Sequence, residues 1–176
     1  MIHSSDLNLV NAIFKFFDQN LSFKFKDILI INEENLDFKT GVFSSYLSKC
    51  KTVYIVQNDF STTAQEFDKS QVSLFSVNSI EFLKLAAETA TTFDFVIYFV
   101  SKQRLKEFKI AHQQIVNQIL DNLLKKSGIF VIVFEFEGEV LTEYPISKLF
   151  RRMSDNLTKK IFGKTLTNIC VHVFYK

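Results

Sequence analysis

Residues 26–59 read KDILIINEENLDFKTGVFSSYLSKCKTVYIVQND, and this stretch decides the fold. Asp27 to Asn32 is an apolar run of strand length, Gly41 to Lys49 has helical spacing, and 52–57 is a second apolar run. A short strand buried on both faces, a helix and another such strand form the opening βαβ unit of a parallel sheet. The turn after the first strand is Asn32-Glu33-Glu34-Asn35-Leu36-Asp37-Phe38 and contains no glycine. Such turns use glycine where the backbone must approach a ligand closely. Here side chains fill that space, and three of them are acidic.

The same alternation continues outward. Leu7, Val10, Ile13, Phe14 and Phe17 lie at helical spacing behind Ser4, Ser5 and Asp6, which predicts a leading amphipathic helix over 6–19. The helix over 40–49 is expected to bury Val42, Phe43, Tyr46 and Leu47. A short helix is expected around 62–68 and a third strand over 72–77. Asn78 or Ser79 caps a helix over 79–88 with Ile80, Leu83 and Ala87 on one side, and strand four is 94–99. A helix over 111–126 follows, closed by Lys125, Lys126, Ser127 and Gly128, with the cations at its negative dipole end. Strand five is 129–136 and a brief hairpin arm is expected over 139–144. Pro145 precedes a helix over 146–162, and the last strand is 167–175. Strands alternating with helices predict an α/β, Rossmann-like, doubly wound and mostly parallel sheet of six or seven strands. Helices cover both faces, and the last strand can lie antiparallel at an edge. The 176 residues are read as a single domain, with 1–25 as the leading helix and 26–176 as the core.

Composition excludes several classes. A net charge of +2 makes the whole molecule no electrostatic magnet for nucleic acid. Cys50 and Cys170 stand alone, without metal-ligand spacing, and are expected to be small core residues in a reducing compartment. No apolar run approaches the roughly 20 residues of a membrane span and no leader peptide is visible, so the expected compartment is the cytoplasm, without a membrane partner. His3, His112 and His172 lack a carboxylate or serine at a telling spacing, and neither a phosphate-binding loop nor a nucleophile elbow occurs. No catalytic residue and no metal site is assigned.

The order and spacing of these elements resemble those of a class I S-adenosylmethionine-dependent methyltransferase over nearly the whole chain. The resemblance is carried by residues 26–59, by FDFVIYFVSKQRLKEF (93–108) and by LDNLLKKSGIFVIVFEF (120–136). It implies cofactor contacts at Asn32 and Glu33 in the first turn, at Gln57, Asn58 or Asp59 after strand two depending on register, and at Asn78 after strand three. It also implies an acceptor site near Tyr98 and Ser101. The departures fall on these same positions: the first turn lacks glycine, and Asn78 stands where an aspartate is usual. After strand four the chain reads Phe99-Val100-Ser101, without the Asn/Asp-Pro-Pro-aromatic signature of amino-group methylation. The chain therefore resembles degenerate relatives, such as the non-catalytic N-terminal half of small-subunit rRNA guanine methyltransferases or the methyltransferase-like domain of anamorsin-type proteins. That resemblance implies a binding or scaffold module without a resident cofactor. The alternatives are a divergent active enzyme using S-adenosylmethionine, and a module that docks a protein partner.

Two basic groups could serve a partner. Behind the apolar stripe of the helix over 146–162 lie Lys148, Arg151, Arg152, Lys159 and Lys160, with Asp155 the only acid among them. Phosphate contacts with RNA, a protein-docking face and a solvated helix face are all compatible with that pattern. Lys102, Arg104, Lys106 and Lys109 form the second group. Glu33, Glu34 and Asp37 could grip a cation or a basic partner, or simply form a solvated loop with Asp37 capping the next helix.

Overall fold

The computed structural model describes residues 26–36, 38, 41–58, 71–101, 109–135, 151–152 and 169–176, with Asn11, Phe14, Lys15, Phe17 and Gln19 of the leading helix. The expected short helix around 62–68, the hairpin arm over 139–144 and most of the helix over 146–162 lie outside these residues.

The first strand, β1, runs Asp27–Asn32, and helix α1 spans Gly41–Leu47. Strands β2 (Thr52–Gln57) and β3 (Val72–Ser76) follow, then helix α2 (Ser79–Glu88) and β4 (Phe93–Phe99). Helix α3 covers Lys109–Gln118 and runs into a π-helical turn at Ile119–Leu123. The chain closes with β5 (Leu124–Glu135), β6 (Arg151–Arg152) and β7 (Ile169–Tyr175). One sheet holds all seven strands in the order β3-β2-β1-β4-β5-β7-β6. The first five are parallel, and β7 lies antiparallel between β5 and β6. The expected doubly wound sheet is therefore present, and its last strand is antiparallel, although β6 and not β7 forms the edge.

Two apolar layers follow from the two-residue period of the strands. Ile28 and Ile30 face one side with Ile55, Phe95 and Ile97, and Phe14, Phe17, Phe43 and Tyr46 cover them. Leu29 and Ile31 face the other side with Val96 and Tyr98, beneath Phe82, Leu83 and Ala86 of α2 and Ile115, Val116 and Ile119 of α3 and its π turn. Phe14 packs edge-on against Phe17, Phe43 and Tyr46, so the leading helix is stapled to α1 by aromatic contacts. Cys50 is buried beside this layer, and burial pushes its thiol up to about 12, which makes it an inert core residue. Within α2 the buried stripe is Phe82, Leu83 and Ala86; Ile80 is only half-buried and Leu85 is exposed, so the expected stripe of Ile80, Leu83 and Ala87 is rotated. Among the described residues no helix is long and apolar enough to cross a membrane.

The segment 124–128 corrects the expected end of the fifth helix. The helical stretch stops at Leu123, and β5 begins at Leu124 paired with Phe93. The pairing then jumps from Leu124–Phe93 to Ile129–Phe95, so residues 125–128 bulge out of the ladder. Ser127 has φ 67°, and a Cβ on Gly128 would lie 2.8 Å from the Lys125 carbonyl and 2.9 Å from the Leu124 side chain, so glycine is required there. The bulge turns Lys125 inward. Its Nζ donates to Asp27 Oδ2 at 2.8 Å and Asp94 Oδ2 at 3.0 Å, and Asp94 also accepts from the Asp27 amide at 2.9 Å. The cation at the helix end is instead Lys176, whose Nζ donates to the carbonyls of Leu120, Asp121 and Leu124.

A second correction concerns Arg151 and Arg152. Both are extended and pair with Tyr175 and Phe174 of β7, where a helix over 146–162 was expected. Pairing there satisfies backbone groups on β7 that would otherwise form an open edge.

Two predictions follow from these local structures. Helix α2 ends in a Schellman arrangement, with Ala90 N–H on Ala87 O and Thr91 N–H on Ala86 O, and Ala90 is left-handed at φ 52°. Ala90→Gly removes the Cβ strain and is expected to stabilise the protein by about 0.5–1 kcal/mol in urea denaturation; a loss of stability would contradict the assigned conformation. The second concerns the Lys125 clamp. Burial pushes Asp27 up, but the hydrogen bond and charge of Lys125, helped by Lys51, outweigh it and hold Asp27 below its usual value. The hydrogen bond to Asp27 likewise raises Lys125 against the effect of burial, with Asp94 adding to it. The lowered Asp27 contributes stability that is lost as pH falls, and the raised Lys125 contributes stability that is lost as pH rises. Lys125→Met is expected to cost about 1–2 kcal/mol at neutral pH, between the values for exposed and buried pairs. The gap from wild type should narrow below the ordinary carboxylate value of 3.8 and above the ordinary lysine value of 10.5. A gap independent of pH would remove the clamp from the account.

Candidate functional site

Parity along β1 separates its two terminal polar residues. Asn32 continues the Ile28–Ile30 face, and Glu33 continues the Leu29–Ile31 face. They therefore point to opposite sides of the sheet and find different partners.

Asn32 is 1% exposed, so each of its polar atoms needs a partner. Its Oδ1 accepts from the Leu36 amide at 3.0 Å, and its Nδ2 donates to the Leu36 carbonyl at 2.9 Å and to Gln57 Oε1 at 2.7 Å. The first two bonds close the turn as a side-chain-locked loop. The third ties the tip of β1 to the tip of β2, one step beyond the Ile31–Val56 pair. Gln57 is itself only 4% exposed. The glycine-free turn still contains one left-handed residue, Asn35 at φ 51°, and asparagine tolerates that conformation better than most residues.

Glu33 crosses to β4. Its amide donates to the Phe99 carbonyl at 3.0 Å, which fixes the backbone. One carboxylate oxygen accepts from Ser79 Oγ at 2.6 Å, and the other accepts from the Tyr98 hydroxyl at 3.0 Å. The Ser101 amide approaches the second oxygen at 3.5 Å. Tyr98 is fully buried and Ser79 is 5% exposed, so this carboxylate satisfies two hydroxyls that the fold withdraws from water.

Three of the expected cofactor positions, Asn32, Glu33 and Gln57, thus gather at the carboxyl ends of the strands. Asn78 lies at the same end but is exposed, and its Oδ1 caps α2 by accepting from the Ile80 amide at 2.8 Å. Asp59 and Asp37 lie outside the described residues, and Glu34 is exposed. Tyr98 and Ser101, expected near an acceptor, are partners of Glu33. Ser79, which the sequence offered as an alternative helix cap, is a partner of Glu33, and nothing local marks that role because the two residues are 46 apart. Lys148, Lys159 and Lys160 lie outside the described residues, and Arg151 and Arg152 are described only as the backbone of β6, so the basic face is not assembled into a site here. Among the described residues no group of His, Cys, Asp and Glu could hold a metal ion.

No protein-family model and no curated protein matches the chain. Solved structures do. SMU.776, assigned as a methyltransferase and crystallised with S-adenosylhomocysteine, aligns with TM-score 0.64 at 14% identity, over 96% of this chain and 48% of its own. This chain thus spans about half the length of that protein. The protein yhhF of Escherichia coli, also assigned as a methyltransferase, aligns with TM-score 0.63 at 12% identity over 98% of this chain and 84% of its own. The N-methyltransferase NodS of Bradyrhizobium japonicum WM9 gives TM-score 0.57 at 10% identity over 100% and 99%. At these identities the likeness concerns the fold alone, and the fold is the Rossmann-like one of class I S-adenosylmethionine-dependent methyltransferases.

Proposed function

We propose that the chain is a methyltransferase-like domain that serves as a binding or scaffold module and does not catalyse methyl transfer. The observation that carries this reading is the internal satisfaction of the crevice. Asn32 and Gln57 bond each other, and Glu33 is bonded by Ser79 and Tyr98. A crevice built for a cofactor keeps backbone donors open at this point, and glycines let the ligand reach them. Calorimetric titration with S-adenosylmethionine and S-adenosylhomocysteine tests the reading. The expected result is no one-site binding tighter than roughly 1 mM. A micromolar isotherm would overturn it in favour of a divergent active methyltransferase, in which Asn78, Asp59 and the backbone of 32–36 hold the cofactor.

The partner we assign is RNA. The support is the density of cations over residues 148–160, where Lys148, Arg151, Arg152, Lys159 and Lys160 share the segment with a single acid, Asp155. The double variant Arg151→Glu, Arg152→Glu is expected to weaken binding to a structured RNA about tenfold or more. It should also reduce the slope of log affinity against log salt by about 2, through the two lost phosphate contacts. Unchanged affinity and slope would remove RNA and leave a protein partner.

A further inference from the structure

β1 and β4 are the strands between which the winding reverses. From β1 the chain steps outward through β2 to β3, and β4 then starts on the opposite side of β1. Open α/β sheets bind ligands outside the strand ends at this switch point. Here a side chain of the protein bridges it. The backbone of Glu33 is locked to Phe99, and its carboxylate collects Ser79 Oγ from α2, the Tyr98 hydroxyl from β4 and the approaching Ser101 amide just beyond. Donors from separate parts of the chain converging on one carboxylate have the form of a carboxylate receptor.

The geometry points to Glu33 as a tethered ligand that occupies a carboxylate-binding subsite at the β1–β4 crevice. The free ligand class that matches the subsite is a small molecule with its own carboxylate, such as the amino-acid end of an S-adenosyl compound. A tethered group competes at an effective concentration on the order of millimolar or more, so a free ligand must exceed that to displace it. This inference rests on the reading of the crevice given above and adds to it a single residue that keeps the crevice closed.

The test titrates wild type and Glu33→Ala with S-adenosylhomocysteine and with methylthioadenosine, which shares the nucleoside and lacks the carboxylate. Folding is checked by circular dichroism. The expected result is that Glu33→Ala binds S-adenosylhomocysteine at least about tenfold more tightly than wild type does, as a charge-assisted hydrogen-bond set should allow. Methylthioadenosine should gain far less. A folded Glu33→Ala that gains nothing, or that gains equally for both compounds, overturns the inference. Should the variant be too unstable for calorimetry, it is examined with acetate, which supplies the missing methylene and carboxylate. Its melting temperature should then rise by about 2 °C or more over a chloride control of equal ionic strength, and no rise overturns the inference. Wild-type protein that binds S-adenosylhomocysteine tightly overturns the scaffold reading together with this one. Silence from both proteins overturns the tethered ligand alone.

Discussion

The structure depends on β1 having no solvent face. Ile28, Leu29, Ile30 and Ile31 are all fully buried, two toward each layer. A strand buried on both sides needs a neighbour on each edge for its amides and an apolar cover on each face. β2 and β4 supply the edges, the leading helix and α1 cover one face, and α2 and α3 cover the other. The same burial constrains its ends. Each polar residue flanking the apolar run must find a protein partner, because an unpaired buried polar group costs about 1–3 kcal/mol.

The two ends meet this demand differently. At the amino end, Asp27 is paired with Lys125, which a bulge four residues long brings in from β5. Asp94 shares the same ammonium, so one cation holds β1, β4 and β5 in register at their starts. At the carboxyl end the hydrogen bonds among the described residues come from uncharged groups: Leu36 and Gln57 bond Asn32, and Ser79 and Tyr98 bond Glu33. The first end is an ion-pair clamp. The second is a hydrogen-bonded network at the strand ends.

Strands were legible where burial is two-sided and continuous. The bounds of β1 and β2 match the apolar runs Asp27–Asn32 and Thr52–Gln57, and Asn78 caps α2 as its residue type suggested. What escaped was set by distant partners. Lys125 and Lys126 sit behind a helical stripe and precede a glycine, which is the local signature of a helix end. Asp27 and Asp94 override that signature, and neither is near Lys125 in sequence. Lys176 takes the helix-capping role from 52 or more residues away. The apolar stripe of 146–162 has helical period, yet Arg151 and Arg152 are extended, because an open strand edge on β7 outweighs local preference. For the site, the sequence revealed the missing glycines, and the resemblance named Asn32, Glu33, Gln57, Asp59 and Asn78, of which the strand register brings Asn32 and Gln57 into contact. It did not reveal that Asn32 and Glu33 part company, since that requires the parity and register of three strands at once.

That parting explains how the first turn can do without glycine. A glycine turn leaves backbone amides exposed at the strand ends, and a bound ligand satisfies them. With side chains in the turn, Asn32 satisfies the turn's own amide and carbonyl at Leu36, and Glu33 satisfies the hydroxyls that face the crevice. Hydrogen bonds to a charged acceptor contribute about 1.5–3 kcal/mol each, so the bonds to Glu33 add to the stability of the unliganded fold. Sites kept open for ligands run the other way, with stability given up for function. Selection for a stable unliganded turn and selection for a cofactor site therefore pull these positions in opposite directions, and on the scaffold reading proposed above Asn32 and Glu33 serve the first.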